Sequence, residues 1–62
     1  MKLKIFRQSK NLSQEKFAQK IGFTLSMVSK IEMGKCKPSR NFIEKVKQVY
    51  PEIDINEVFF TD

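Results

Sequence analysis

Any chemistry this chain performs must come from its positive charges, because the other reactive residue types are scarce. There is no histidine and a single cysteine, Cys36, so no internal disulfide can form. A zinc site would have to rest on one thiolate and carboxylates. No group of residues pairs a nucleophile with a base, and two glycines cannot build a phosphate-cradling loop. The only acids in residues 1–40 are Glu15 and Glu32, too few to argue for a carboxylate pair. The expectation is a protein that is not an enzyme and holds neither cofactor nor metal. Lysine and arginine, by contrast, are plentiful: ten in residues 1–40, while residues 41–62 carry two lysines against five acids. The net charge of +5 thus hides a strongly basic first part and a mildly acidic second. Clustered positive charge is what a phosphate-binding face requires, so nucleic acid is the expected partner.

These charges need a scaffold, and 62 residues allow one small domain, expected to span 1–62. A chain of this size buries only about 60% of its unfolded surface, yet 40% hydrophobic residues with six phenylalanines suffice for a core. No apolar run approaches the roughly 18 residues of a membrane span, and no signal-peptide pattern precedes the first apolar residues. The default is a cytoplasmic, nucleoid-associated protein in a reducing compartment, with no membrane partner.

Apolar spacing predicts an all-α chain of five short helices. Leu3, Ile5 and Phe6 begin a first helix over 2–10, closed by Asn11, a residue suited to a left-handed position. Ser13 is a good N-cap for a second helix over 14–20, with Glu15 in its first turn and Phe17, Ala18 and Ile21 at helical spacing. Gly22 stops it and lets the chain turn sharply. Thr24 caps a third helix over 25–33, whose inner stripe is Val28 and Ile31 and whose end is Met33-Gly34. Lys35, Cys36, Lys37 and Pro38 form an extended basic loop. Ser39 caps a fourth helix carrying Phe42, Ile43, Val46, Val49 and Tyr50, which Pro51 ends near residue 50. Asp54 and Glu57 have capping-box spacing and open a fifth helix with Ile55, Val58, Phe59 and Phe60.

Residues 14–37 are the centre of this plan. Two short helices joined by a glycine turn match a helix-turn-helix, in which the first helix braces against the DNA backbone and the N-terminal part of the second reaches base edges. Such a unit needs a small residue at the crossing (Ala18), a glycine in the turn (Gly22), apolar residues on the inner face (Val28, Ile31) and polar ones outside (Ser26, Ser29, Lys30).

Leu12-Ser13-Gln14, Phe17-Ala18 and Gly22, then Val28-Ser29, Ile31-Glu32, Gly34-Lys35 and Pro38-Ser39, stand in the register of the Cro/repressor-type (XRE-like) helix-turn-helix family. Leu3, Phe6 and Arg7 before them, and Tyr50-Pro51, Ile53, Val58 and Phe59 after, extend this resemblance over nearly residues 3–60. It implies a lambda-repressor-like domain that binds double-stranded DNA sequence-specifically, often as a homodimer on a palindromic operator. Carried over residue by residue, it places Thr24, Leu25, Ser26 and Lys30 against bases. Lys30 suits guanine N7/O6 and Leu25 a thymine methyl, although a leucine there has the alternative of packing on Phe23. Ser13, Gln14, Met27, Lys35, Lys37 and Arg40 fall to the DNA backbone, Gln14 also bracing helix 3; Met27 departs from the smaller or aromatic residues common at its position. Arg7 and Glu32 match a structural ion pair between helices 1 and 3. Cys36 is read as incidental.

Helix 5 is too short to bury Val58, Phe59 and Phe60 together against so small a core, which makes them candidates for a dimer surface. With the chain ending at Asp62, no separate effector domain and no small-molecule effector are expected. The reading is a phage or bacterial transcriptional regulator, with repressor the favoured sense. Its rivals are an antitoxin-like protein-binding module that also binds DNA, and a non-specific architectural DNA binder.

Overall fold

Hydroxyl caps start the helices where the sequence places them. Ser13, Thr24 and Ser39 each accept a hydrogen bond, from the backbone N–H groups of Lys16, Met27 and Phe42, all at 3.1 Å. Asp54 Oδ1 does the same for the Glu57 N–H at 3.1 Å. Each such cap contributes about 1 kcal/mol, a large increment for helices this short. The computed structural model describes residues 1–60 and contains α1 (Leu3–Ser9), α2 (Gln14–Ile21), α3 (Leu25–Glu32), α4 (Arg40–Val49) and α5 (Ile55–Phe60). No strand occurs among the described residues, so the all-α, five-helix expectation is met. Boundaries shift by one residue at several ends. Lys2 and Lys10 flank α1 as non-helical caps, Ile21 joins α2, and Met33 and Tyr50 become the C-caps of α3 and α4.

The first three helices end in the same way. A left-handed residue follows each: Asn11 at φ 59°, Gly22 at 77° and Gly34 at 78°. Its N–H and the next residue's N–H then fold back onto carbonyls of the last turn. After α2, Gly22 donates to Gln19 (3.3 Å) and Phe23 to Ala18 (2.9 Å). After α3, Gly34 donates to Ile31 (3.1 Å) and Lys35 to Lys30 (2.9 Å). This paired closure satisfies carbonyls that the helix leaves open and turns the chain sharply. Asn11 can stand where glycine stands elsewhere because asparagine tolerates this conformation. α4 closes differently, with Lys47 Nζ donating to the carbonyls of Pro51 (2.7 Å) and Ile53 (3.1 Å).

The core lies between α2, α3 and α4 and is capped by α1 and α5. Phe17, Ile21, Val28 and Val46 are fully buried, and Leu3, Ala18, Ile31, Phe42 and Ile53 nearly so. Ala18 lets α3 lie close on α2. Phe42 meets Phe23 edge-on at 5.0 Å and Phe59 at 6.3 Å, which ties the turn before α3 to the last helix. The Lys2 N–H donates to the Val58 carbonyl at 2.7 Å, joining the start of α1 to α5. Val58 and Phe59 enter the core at 6% and 7% exposure, while Phe60 stays outside at 66%. Of the three residues named as a dimer surface, two are thus occupied in holding the fold. With α5 against α1 and Phe42, one apolar residue of the trio is left over.

Tyr50 stacks on Phe17 (centroids 5.8 Å apart) and meets Phe6 edge-on (5.6 Å), yet its buried hydroxyl has no hydrogen-bond partner among the described residues. Burial lifts its pKa above the ordinary value, Glu52 adds to the rise and Lys10 opposes it. A raised folded-state pKa means that this group's contribution to stability is complete below the unfolded value near pH 10. It is lost as pH climbs through the folded value. Thermal unfolding between pH 8 and 11 should therefore show the wild type losing stability more steeply than Tyr50→Phe above about pH 10. Parallel curves would contradict this.

Candidate nucleic-acid interface

α3 presents two chemically different faces. Val28 and Ile31 point into the core at 0% and 1% exposure. Leu25, Ser26, Met27 and Lys30 are all exposed, as is Thr24 before them. Ser26 and Lys30 make no side-chain hydrogen bond or ion pair among the described residues, so their donors are free. Thr24 is exposed, but its Oγ1 is already engaged by the Met27 N–H. Leu25 is 46% exposed, and Phe23, its proposed packing partner, turns to Phe42 instead. Met33 is 59% exposed and accepts a weak contact from Ser29 Oγ (3.5 Å to Sδ). It lies three residues after Lys30 and seven after Ser26, on the same outer side. The helical spacing of the sequence carries that signal, although Met33 is absent from the residues named above for the interface.

One carboxylate joins three elements behind this face. Glu32, at the end of α3 with its side chain 2% exposed, accepts from Arg7 Nε at 2.7 Å and from Arg7 Nη2 at 3.1 Å. Its Oε1 also accepts from Gln14 Nε2 at 3.0 Å. Arg7 sends its remaining branch, Nη1, to the Leu12 carbonyl at 2.6 Å. The guanidinium fork thus satisfies both carboxylate oxygens and a loop carbonyl, which is how a buried pair offsets its desolvation. α1, the α1–α2 connection, the first residue of α2 and the end of α3 are held in one arrangement. Arg7 with Glu32, and Gln14 with α3, are the pairings that the family resemblance implies; the bond to the Leu12 carbonyl has no signal in the sequence.

The positively charged side chains beyond α3 are mostly unspent. Lys35 and Lys37 are exposed and without side-chain partners among the described residues, while Arg40 Nε reaches Glu44 at 3.3 Å in an i, i+4 pair on the surface. So exposed a pair is weak and easily exchanged for a phosphate. Ser13, whose oxygen caps α2, stands beside Gln14, the residue bonded to Glu32. Cys36 is half-buried against the core, a packing role consistent with reading it as incidental. No cluster of metal-binding side chains occurs among the described residues, and no described helix is long and apolar enough to cross a membrane.

Two helices joined by a short glycine turn, the second with a free polar outer face, define a helix-turn-helix protein. A family model described as helix-turn-helix matches residues 3–58. The chain belongs to that family, in its XRE-type branch, and is a DNA-binding helix-turn-helix regulator. Searches of curated proteins and of solved structures gave no significant match.

Proposed function

We propose that this protein is a sequence-specific transcriptional regulator of the repressor or Cro type, placing α3 in the major groove of an operator. The observation that carries this reading is the outer face of α3, whose Ser26 and Lys30 are exposed and uncommitted among the described residues, while the Arg7–Glu32–Gln14 junction holds the helix from the buried side. In this reading Thr24, Leu25, Ser26 and Lys30 face bases. Ser13, Gln14, Met27, Lys35, Lys37 and Arg40 lie along the two flanking phosphate strands. One copy measures 25 Å in its longest extent, enough for one half-site. Two copies on a palindrome, with half-sites about 34 Å apart, supply the affinity that one short helix lacks. Phe60 is the apolar residue α5 leaves for contact between them.

Selection of bound sequences from a random duplex pool tests the reading. The expected result is an enriched palindrome with half-site centres about one helical turn apart. Lys30→Ala and Ser26→Ala should each relax the preference at one base pair, by about 5- to 100-fold for a good contact. An unenriched pool would overturn the reading, and so would a preference that both substitutions leave unchanged.

A further inference from the structure

We propose that the N-terminal end of α3 reads the C5-methyl group of a pyrimidine, accepting thymine and 5-methylcytosine alike and rejecting uracil and unmodified cytosine there. This deepens the operator reading above and rests on α3 being the major-groove helix. Elimination along the exposed edge leads to it. Residues 24–31 contain no asparagine, glutamine, arginine or acid. The side chains that bond adenine in two places, or accept from the cytosine amine, are therefore missing. Glu32 is the nearest acid, and both its oxygens are held by Arg7 and Gln14. Lys30 is the one charged donor on the edge and suits guanine.

What distinguishes the N-terminal end is an exposed apolar side chain between two hydroxyl residues. Leu25 is 46% exposed at the first helical position, outside the core cluster. Beside it, Thr24 Oγ1 accepts from the Met27 N–H at 3.1 Å, which fixes the side chain at the cap with its O–H proton still able to donate and its methyl group next to Leu25 in the chain. The only apolar feature a base pair displays in the major groove is the pyrimidine C5-methyl group. Ser26, next in the chain, does not restore discrimination between thymine and 5-methylcytosine. A free hydroxyl can donate to the thymine O4 or accept from the cytosine N4 amine by rotating. The methyl group is thus the feature that the leucine senses, whichever ring carries it.

The test uses the intact protein and the duplex enriched by selection, with binding followed by fluorescence anisotropy at constant salt. Each thymine is replaced in turn by uracil in both half-sites. At the sensitive position a G·C pair is then installed with cytosine or 5-methylcytosine. Burying one methyl group corresponds to about fourfold in affinity per half-site. One uracil substitution is expected to weaken binding by that amount, 5-methylcytosine to bind like thymine, and cytosine to bind like uracil. Leu25→Ala, checked for unchanged helicity, should bind the thymine and uracil duplexes equally. If no uracil substitution matters while Lys30→Ala still relaxes the guanine preference, methyl reading fails and the operator reading stands. If 5-methylcytosine binds as weakly as cytosine, the edge reads polar groups and the proposal is overturned. A pool without enrichment removes the operator reading and this proposal together.

Discussion

Glu32→Ala is expected to cost about 3–5 kcal/mol of folding stability, the usual penalty for leaving one half of a buried ion pair alone. In a small domain of ordinary stability that loss approaches the whole margin between folded and unfolded states. The Arg7 guanidinium, with its side chain 9% exposed, would keep only the Leu12 carbonyl, and Gln14 would lose the acceptor that fixes it to α3. Glu32→Gln keeps an acceptor oxygen without the charge and should fall between alanine and the wild type. The mechanism has a sharper signature in the double variant Arg7→Met with Glu32→Leu. Removing both charges also removes their desolvation, so much of the lost stability should return. Urea denaturation of the set measures this. A double variant as unstable as the sum of its single changes would mean that packing, not the uncompensated charge, dominates at this site.

The second large effect concerns DNA and leaves the fold untouched. Substituting Lys35, Lys37 and Arg40 together by alanine should lower affinity on every sequence by about 10²-fold near 0.1 M salt. The slope of log K against log salt should fall by about 0.9 for each phosphate no longer neutralised, roughly 2–3 in all. The order of preference among operators should not change, because phosphate contacts position without specifying. All three side chains are exposed, so thermal stability should move by no more than about 0.5 kcal/mol. Lys37→Ala alone should weaken binding more than Arg40→Ala, since Arg40 must first release Glu44. A salt slope equal to the wild type's would remove this loop from the interface.

The fold was legible through local signals that tertiary structure reinforces. Ser13, Thr24 and Ser39 act where hydroxyls precede apolar runs, and Asn11, Gly22 and Gly34 take the positive φ that ends α1, α2 and α3. These are short-range effects, which is why they could be read. Long-range choices were harder. Nothing local says that Ile53, in a connection after Pro51, belongs to the core, or that α5 spends Val58 and Phe59 internally. For the outer face of α3, helical spacing revealed which side chains are exposed, except for Met33 beyond its end. The sharing of Glu32 between Arg7 and Gln14 needs three segments placed together, and spacing alone cannot supply that.

Thr24 lends its oxygen to its own helix as an acceptor, and the side chains of Ser26 and Lys30 bond nothing among the described residues. The consequence lies in how such a protein can diverge. On the reading proposed above, an exchange at position 25, 26 or 30 would alter what is recognised without first having to be rescued by a compensating change in the core. Under that reading new operators would be reached through single substitutions, each intermediate folded and testable by selection. The Glu32 junction, where one change disturbs three segments, marks the part of the molecule that such drift must leave alone.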